Sequence, residues 1–204
     1  MKKQILIATR NEGKVEELKE LTKNKYEIIQ LNDLGITHEV EENGITFREN
    51  AIKKVKEYGE LSKIITISDD SGLVVDALGG EPGIYSARYG GTKLTDKERN
   101  NLVLNKLKFF KEKKPTARFC CVIAVWIPKQ EIKTFCGTIE GYISTIAKGN
   151  NGFGYDPIFY YPPKRKNLAE ITLLEKQKIS HRGKAAIEAI KYIEKIDEKN
   201  DNFR

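Results

Sequence analysis

Two short apolar segments, each running directly into a polar cluster, constrain the fold of this chain most strongly. Residues 5–8 precede Thr9-Arg10-Asn11, and residues 64–68 precede Asp69-Asp70-Ser71-Gly72. Short apolar runs bounded by polar residues are typical of buried strands. Because α/β proteins build ligand sites at the ends of such strands, both polar clusters are predicted to take part in ligand binding.

The rest of the chain alternates between helical and extended patterns. The helical spacing of apolar residues and the capping residues predict helices over 11–21, 47–61, 95–111, 172–178 and 183–195. The predicted strands are 5–8, 26–31, 64–68, 73–76, 117–127 and 132–143, with the last two forming a hairpin. This order predicts a mixed α/β fold, with residues 1–204 as a single domain.

Composition narrows the class of protein. The chain has 36 basic and 29 acidic residues, a net charge of +7, which favours a polyanionic partner. We found no pattern typical of zinc fingers, basic zippers or RNP1 segments, so a triphosphate is a better candidate than a nucleic acid. No apolar run approaches the roughly 18 residues of a membrane helix. We therefore expect no membrane partner and a cytoplasmic location, and three cysteines without CxxC spacing predict neither a disulfide framework nor a zinc site.

Residues 9–14 have the composition of a phosphate-binding turn. A helix that begins here offers free backbone N–H groups and the positive end of its dipole. Thr9 and Asn11 add side-chain donors, and Lys14 adds a positive charge. The spacing is not that of a Walker P-loop. The alternative is an ordinary capped helix that carries a surface lysine.

Acidic residues in two places suggest a metal site. Asp69 and Asp70 supply the hard oxygen ligands that Mg²⁺ prefers. One carboxylate could hold the metal while the other deprotonates an attacking water. Glu41 and Glu42, in a polar loop, could add a ligand. The alternatives are an Asx turn for the aspartates and a solvated surface for the glutamates.

Two later segments carry groups suited to a nucleobase. Phe153 and Tyr155 lie in a glycine-rich loop, where aromatic rings can stack on a base or instead fill the core. His181 and Arg182 open the last predicted helix, where the alternative is an exposed capped helix start. Because arginine only donates hydrogen bonds, Arg182 suits a 6-oxo purine and opposes the 6-amino group of adenine. Guanine also carries a 6-oxo group, so this contact alone does not exclude GTP.

Taken together, these segments resemble the inosine triphosphate pyrophosphatase family over essentially the whole chain. The resemblance rests on residues 9–14, 41–47 with 49–51, 68–73, 79–89, 152–157 and 180–184. It implies a two-lobed mixed α/β fold with a long central mixed sheet, an active-site cleft between lobes and a homodimer. It also implies a hydrolase of nucleotide metabolism that converts ITP, dITP and XTP to monophosphate and pyrophosphate.

The resemblance also implies residue roles. Asp70 would be the proton acceptor and a Mg²⁺ ligand, with Glu41 as a further ligand and Asp69 close by. Since a metal-bound carboxylate is a poor base, Asp70 either deprotonates the water or only positions it. The implied substrate-binding residues are Thr9, Arg10, Asn11, Glu12, Gly13, Lys14, Lys54, Ser71, Phe153, Gly154, Tyr155, Asp156, Lys176, His181 and Arg182.

Three other classes compete with this interpretation. Maf-like pyrophosphatases share the general architecture but would need a Ser/Arg-rich N-terminal phosphate motif, which this sequence lacks. Nudix hydrolases need a glutamate-rich signature that is also missing. A basic nucleic-acid-binding protein would show salt-dependent binding and no metal-dependent turnover.

Overall fold

The computed structural model describes residues 2–22, 25–110 and 114–201, with side chains up to residue 198. Its helices are α1 (Glu12–Thr22), α2 (Phe47–Ser62), α3 (Asp96–Leu107), α4 (Leu173–Ile179) and α5 (His181–Asp201). Its strands are β1 (Gln4–Ile7), β2 (Glu27–Gln30), β3 (Ile65–Val75), β4 (Thr116–Trp126), β5 (Lys133–Ile143), β6 (Phe159–Tyr161) and β7 (Lys166–Asn167).

The strands form one mixed sheet in the order β2-β1-β3-β4-β5-β6-β7. Strand β1 is parallel to β2 and to β3, with Ile5 opposite Ile28 and Ile65. Strands β5, β6 and β7 pair antiparallel. The predicted mixed α/β class is therefore confirmed. None of the described helices is long and apolar enough to cross a membrane.

The chain divides into two compact units. Unit 1 comprises residues 1–70, 121–137 and 182–204, and unit 2 comprises residues 71–120 and 138–181. Strands β3, β4 and β5 contribute residues to both units. The single domain and the cleft between lobes stay predictions.

In unit 1, helices cover both faces of the strands. Successive side chains of a strand point to opposite faces, so Ile5 and Ile7 pack with helices α1 and α5, whereas Leu6 packs with Tyr58 of α2. On β4, Cys121 belongs to the first of these clusters and Val122 lies against α2. The helices are therefore held by burial of the two alternating residue sets of each strand.

The predicted capping residues begin their helices. Thr95 and Glu98 form a capping box at the start of α3, and Thr172 accepts a hydrogen bond from the Glu175 N–H at the start of α4. Helix α3 ends at Leu107 rather than at residue 111, and residues 111–113 lie outside the described part. Helix α5 begins at His181, directly after Ser180, two residues before its predicted start.

The largest difference from the prediction concerns β3. The predicted strand stops before the aspartate pair, whereas β3 continues from Ile65 to Val75 through Asp69 and Asp70. Buried partners satisfy these carboxylates, the Arg182 guanidinium for Asp69 and the Asn50 amide for Asp70, so two acidic residues do not end the strand. The structure also contains the short strands β6 and β7, which the sequence patterns did not predict.

Candidate active site

The predicted phosphate-binding residues connect β1 with α1 in unit 1. The Asn11 N–H donates to Thr9 Oγ1 at 3.2 Å, and the Lys14 N–H donates to Asn11 Oδ1 at 3.1 Å. These bonds start α1, and Glu12 and Gly13 occupy its first turn. The structure thus gives Thr9 and Asn11 the capping role of the alternative interpretation. It also leaves the first turn of α1 as a positive dipole end that suits an anion.

Arg10 turns away from this helix start. Its Nη2 donates to the Ile36 carbonyl at 2.7 Å, and its Nη1 donates to Asn32 Oδ1 at 3.1 Å. The neighbouring segment therefore fixes the guanidinium. A role for Arg10 in substrate binding stays a prediction.

Asp69 and Asp70 are neighbours on β3, so their side chains leave opposite faces of the strand. Asp69 is fully buried and accepts hydrogen bonds from Arg182 Nε at 3.1 Å and from Cys121 Sγ at 3.0 Å. Lys14 Nζ forms an ion pair with its other oxygen. The charges of Arg182 and Lys14 outweigh the cost of burial and hold the pKa of the Asp69 carboxyl well below its usual range.

Arg182 links this carboxylate to α1. Its Nη1 contacts Glu17 Oε2 at 2.5 Å, and the exposed fractions of Arg182 and Glu17 are only 2% and 4%. The alternative of an exposed Arg182 is therefore wrong. The guanidinium thus forms buried ion pairs with Asp69 and Glu17. The contact of Arg182 with a nucleobase stays a prediction.

Asp70 faces helix α2. Asn50 Nδ2 donates to Asp70 Oδ2 at 3.0 Å, and Lys54 Nζ lies 4.0 Å from Asp70 Oδ1. Burial raises the pKa of Asp70 to about 6, with a further rise from Glu42, while Lys54 and Lys14 oppose the change. Asp70 is therefore a buried carboxylate whose pKa of about 6 lies close to neutral pH. Such a group is suited to exchange a proton or to bind a cation.

Lys54 connects the glutamate loop to β3. Its Nζ lies 2.8 Å from Glu42 Oε1 and 2.8 Å from the Asp69 carbonyl oxygen. Glu41, the predicted ligand, is exposed and accepts from Asn43 Nδ2 at 3.1 Å. The resemblance implied Glu41 as the ligand, whereas in the structure Glu42 is the glutamate that contacts Lys54, beside Asp70.

A magnesium ion fits these donors. Among the described residues, no group of three or more His, Cys, Asp or Glu side chains forms a complete metal site. Mg²⁺ does not need one, because it binds through one or two carboxylates together with phosphate oxygens and water. Asp70 and one glutamate of the 41–42 loop would supply that number of ligands. Asp69 faces other partners, so its predicted metal contact has no support here.

In unit 2, the glycine-rich loop holds a network around Asp156. The Phe153 N–H donates to Asp156 Oδ2 at 3.0 Å, and Lys176 forms a buried ion pair with the same carboxylate. Lys176 Nζ also lies 5.1 Å from the centre of the half-buried Phe153 ring. A Cβ at Gly152 would come 2.1 Å from Asp156 Oδ2, so only glycine fits at this position. The network joins three predicted substrate-binding residues.

The two other ring-bearing residues predicted for the substrate site in unit 2, Tyr155 and His181, are buried. Tyr155 is 5% exposed and donates to the Ser86 carbonyl at 2.9 Å, so it fills the core as the alternative interpretation proposed. His181 stacks on Phe119 with ring centres 4.7 Å apart and an interplanar angle of 9°. Of Phe153 and Tyr155, only Phe153 therefore keeps a partly exposed face.

Comparison with known proteins identifies the family. The model of the Ham1 family matches residues 5–192. The chain belongs to the Ham1 family. The dITP/XTP pyrophosphatase of Bacillus subtilis (strain 168) is 47% identical to it over 193 residues, which cover 94% of this chain and 98% of the relative. The dITP/XTP pyrophosphatase of Staphylococcus epidermidis (strain ATCC 35984) is 45% identical, covering 93% of this chain and 96% of that one.

Solved structures of Ham1 proteins have the same fold. The Ham1 protein of Staphylococcus aureus superposes with a TM-score of 0.83 at 42% identity, covering 94% of this chain and 98% of that chain. A HAM1 protein from Coxiella burnetii superposes with a TM-score of 0.85 at 36% identity, covering 95% and 99%. The resemblance inferred from the sequence motifs is therefore confirmed at the level of the family.

This Ham1 chain also has functional candidates that sequence reasoning missed. Asn50 contacts Asp70, and Glu17 and Cys121 belong to the Asp69 network. Helical spacing offered one signal, since Asn50 and Lys54 are four residues apart and share a face of α2. The partnership of Glu17 and Arg182, separated by 165 residues, left no local signal.

Proposed function

We propose that this Ham1 protein hydrolyses dITP, ITP and XTP to the nucleoside monophosphate and pyrophosphate. The observation that carries the proposal is the buried Asp70 carboxylate beside the Lys54 ammonium in unit 1, with Lys14 of the first turn of α1 paired to the neighbouring Asp69. That combination supplies a cation ligand, positive charge and backbone N–H groups to a triphosphate. The relatives named dITP/XTP pyrophosphatase, which match nearly the whole chain, support the same activity.

The chemistry follows from these groups. The oxygen of a water molecule attacks the α-phosphorus, the bond from that phosphorus to the bridging α–β oxygen breaks, and pyrophosphate leaves. Asp70 accepts the proton of the water or orients the water for attack. The first-turn N–H groups of α1 stabilise charge on the leaving pyrophosphate. Lys14, in the same turn, forms an ion pair with Asp69.

Magnesium belongs to this proposal as the cofactor. Asp70 and Glu41 or Glu42 would hold it, and when bound it would neutralise phosphate charge and polarise the phosphorus centre. The ion would also keep Asp70 deprotonated below the pH at which the metal-free group titrates. Lys54 would hold the glutamate loop against β3 through its contact with Glu42.

Base recognition is assigned to unit 2. Phe153 offers a half-exposed ring for stacking, and Lys176 offers an ammonium donor that is 3% exposed. Donors of this kind suit the 6-oxo group of hypoxanthine and xanthine and oppose the 6-amino group of adenine.

We further propose that the protein is a cytoplasmic homodimer, a proposal that rests on the family resemblance.

The first experiment measures pyrophosphate release from ITP, dITP, XTP, GTP and ATP, with and without Mg²⁺. We expect rapid release from the first three, slow release from GTP and ATP, and none without metal or with Asp70→Asn. Release of single phosphate, or equal rates for all five nucleotides, would contradict the proposal. Salt-dependent binding of DNA without turnover would instead favour the nucleic-acid-binding class.

A matched pair of variants identifies the second metal ligand. Glu41→Gln and Glu42→Gln remove one charge each from adjacent positions of the same loop. The ligand variant should raise the Mg²⁺ concentration for half-maximal rate at least about tenfold, because a lost charged ligand weakens the ion's binding. The other variant should change it little, and equal small effects would exclude both glutamates as ligands.

A further inference from the structure

The loop that presents Phe153 has little conformational preference of its own. Gly152 and Gly154 have φ values of +72° and +61°, and glycine populates positive and negative φ about equally. A ring carried between two such residues keeps a fixed direction only if other parts of the protein hold the loop. The residues that hold it therefore matter for any ligand that stacks on Phe153.

Helix α3 holds both polar groups of the Gly154 backbone. The Gly154 N–H donates to Asp96 Oδ2 at 2.7 Å, and the Gly154 carbonyl accepts from Asn100 Nδ2 at 3.1 Å. Asp96 and Asn100 are four residues apart, so they lie one turn from each other on the same face of α3. One helix face thus fixes the direction of the glycine residue next to Phe153.

Helix α3 is itself firmly anchored. The Thr95 capping box fixes its first turn, and Val103 and Leu107 are buried in the core cluster of unit 2. On the other side of Phe153, the Asp156 carboxylate holds its N–H. The backbone is therefore fixed on both sides of a ring that is only half-buried.

The burial of Asn100 indicates that its side-chain amide has a specific hydrogen-bonding role. The side chain is 4% exposed, and its Oδ1 has no hydrogen-bond partner within the described part of the chain. A buried polar atom without a partner costs free energy, so an apolar residue would stabilise this position better. The contact of Nδ2 with Gly154 is what an apolar residue would lose.

We infer that Asp96 and Asn100 are positioning residues for base recognition, which act by holding Gly154 and through it the direction of the Phe153 ring. The inference rests on the proposed function, in which a purine stacks on Phe153. Neither residue touches the reacting phosphates in this assignment. Their loss should therefore weaken binding of the nucleoside and leave the chemical step largely unchanged.

The test compares Asn100→Ala with Asn101→Ala. Asn101 is the adjacent residue of the same type on the same helix, and it is exposed. We expect Asn100→Ala to raise the KM for dITP and the dissociation constant of IMP about fivefold, the effect of one lost hydrogen bond. The kcat should change less than about twofold. The inhibition constant of pyrophosphate, which has no base, should stay constant, and Asn101→Ala should match the unaltered protein.

A second variant tests the inference independently in case Asn100→Ala does not fold. Asp96 has a side chain that is 54% exposed, so Asp96→Ala is compatible with folding and should show the same pattern. Because both residues hold the same glycine, the double variant should lose less affinity than the product of the two single effects. A fall in kcat with unchanged KM, or equal weakening of IMP and pyrophosphate, would overturn the inference.

Failure of the proposed function has a different signature. If the unaltered protein releases no pyrophosphate from dITP, the proposed function fails. Binding of IMP, measured by calorimetry on the same variants, then decides the role of the two positioning residues. If IMP binds the unaltered protein and Asn100→Ala equally well, or binds neither, the inference is wrong.

Discussion

Replacement of Arg182 by methionine tests the buried charge network of unit 1. Methionine keeps an unbranched side chain of similar length, so the change removes mainly the charge and the hydrogen bonds. Arg182 contacts Asp69 at 3.1 Å and Glu17 at 2.5 Å, and all three side chains are almost completely buried. The variant therefore leaves two buried carboxylates without the guanidinium that they share.

The expected cost is large. Removing one partner of a buried ion pair costs about 3 to 5 kcal/mol, because a buried charge loses its compensation. Lys14 and Cys121 still contact Asp69 in the variant. We therefore expect the free energy of unfolding at pH 7.5 to fall by about 3 kcal/mol, the lower end of that range.

The loss should depend on pH in a defined direction. In the unaltered protein the pKa of Asp69 lies below its usual value, so its stabilising contribution is complete above the unfolded pKa of about 4 and is lost at lower pH. In the variant, burial without Arg182 raises that pKa, and the folded state then binds a proton more readily than the unfolded state. The variant should therefore gain stability as the pH falls from 7.5 to 5, and the difference between the two proteins should narrow by at least about 1 kcal/mol.

Urea unfolding followed by fluorescence measures both effects. Trp126 is the single tryptophan and belongs to unit 1, as Arg182 does. Lys191→Met, on the same helix, removes the charge of an exposed pair with Glu188 and should leave stability unchanged. A loss below about 1 kcal/mol for Arg182→Met, or an equal loss at pH 7.5 and pH 5, would refute this reasoning.

Two further predictions concern Asp70 and the glycine-rich loop. Asp70→Asn should abolish turnover yet stabilise the metal-free protein by about 1 to 3 kcal/mol at pH 7.5, because the pKa of about 6 makes ionisation of the native carboxyl costly. Urea titrations should show this gain vanishing as the pH falls from 6 to 4, and a destabilised variant would contradict it. Gly152→Ala should raise the KM for dITP far more than Gly154→Ala in steady-state assays. Both have positive φ, but only a methyl at Gly152 would collide with Asp156, and equal effects would contradict a steric cause.

Local patterns predicted the elements that short-range interactions define. The caps at Thr95 and Thr172 depend on residues three positions away, so the sequence reveals them directly. The segment predicted to bind phosphate, residues 9–14, follows a strand and starts a helix, as the sequence patterns indicated. Strands β6 and β7 were missed because segments of three and two residues are too short to show a periodic pattern.

The candidate site also combines features that local sequence patterns define with features that depend on distant contacts. The sequence by itself determined the family, the acidic pair on β3 and the aromatic loop, because each is a contiguous motif. Only the tertiary structure decided that Asp69 and Asp70 have separate environments, since the continuation of β3 turns neighbouring side chains to opposite faces. Asp69 meets Arg182, which is 113 positions away, whereas Asp70 meets Asn50 of α2. Such partners depend on how distant segments pack. The charges of Arg182 and Lys14 then hold the pKa of Asp69 low, whereas burial raises the pKa of Asp70.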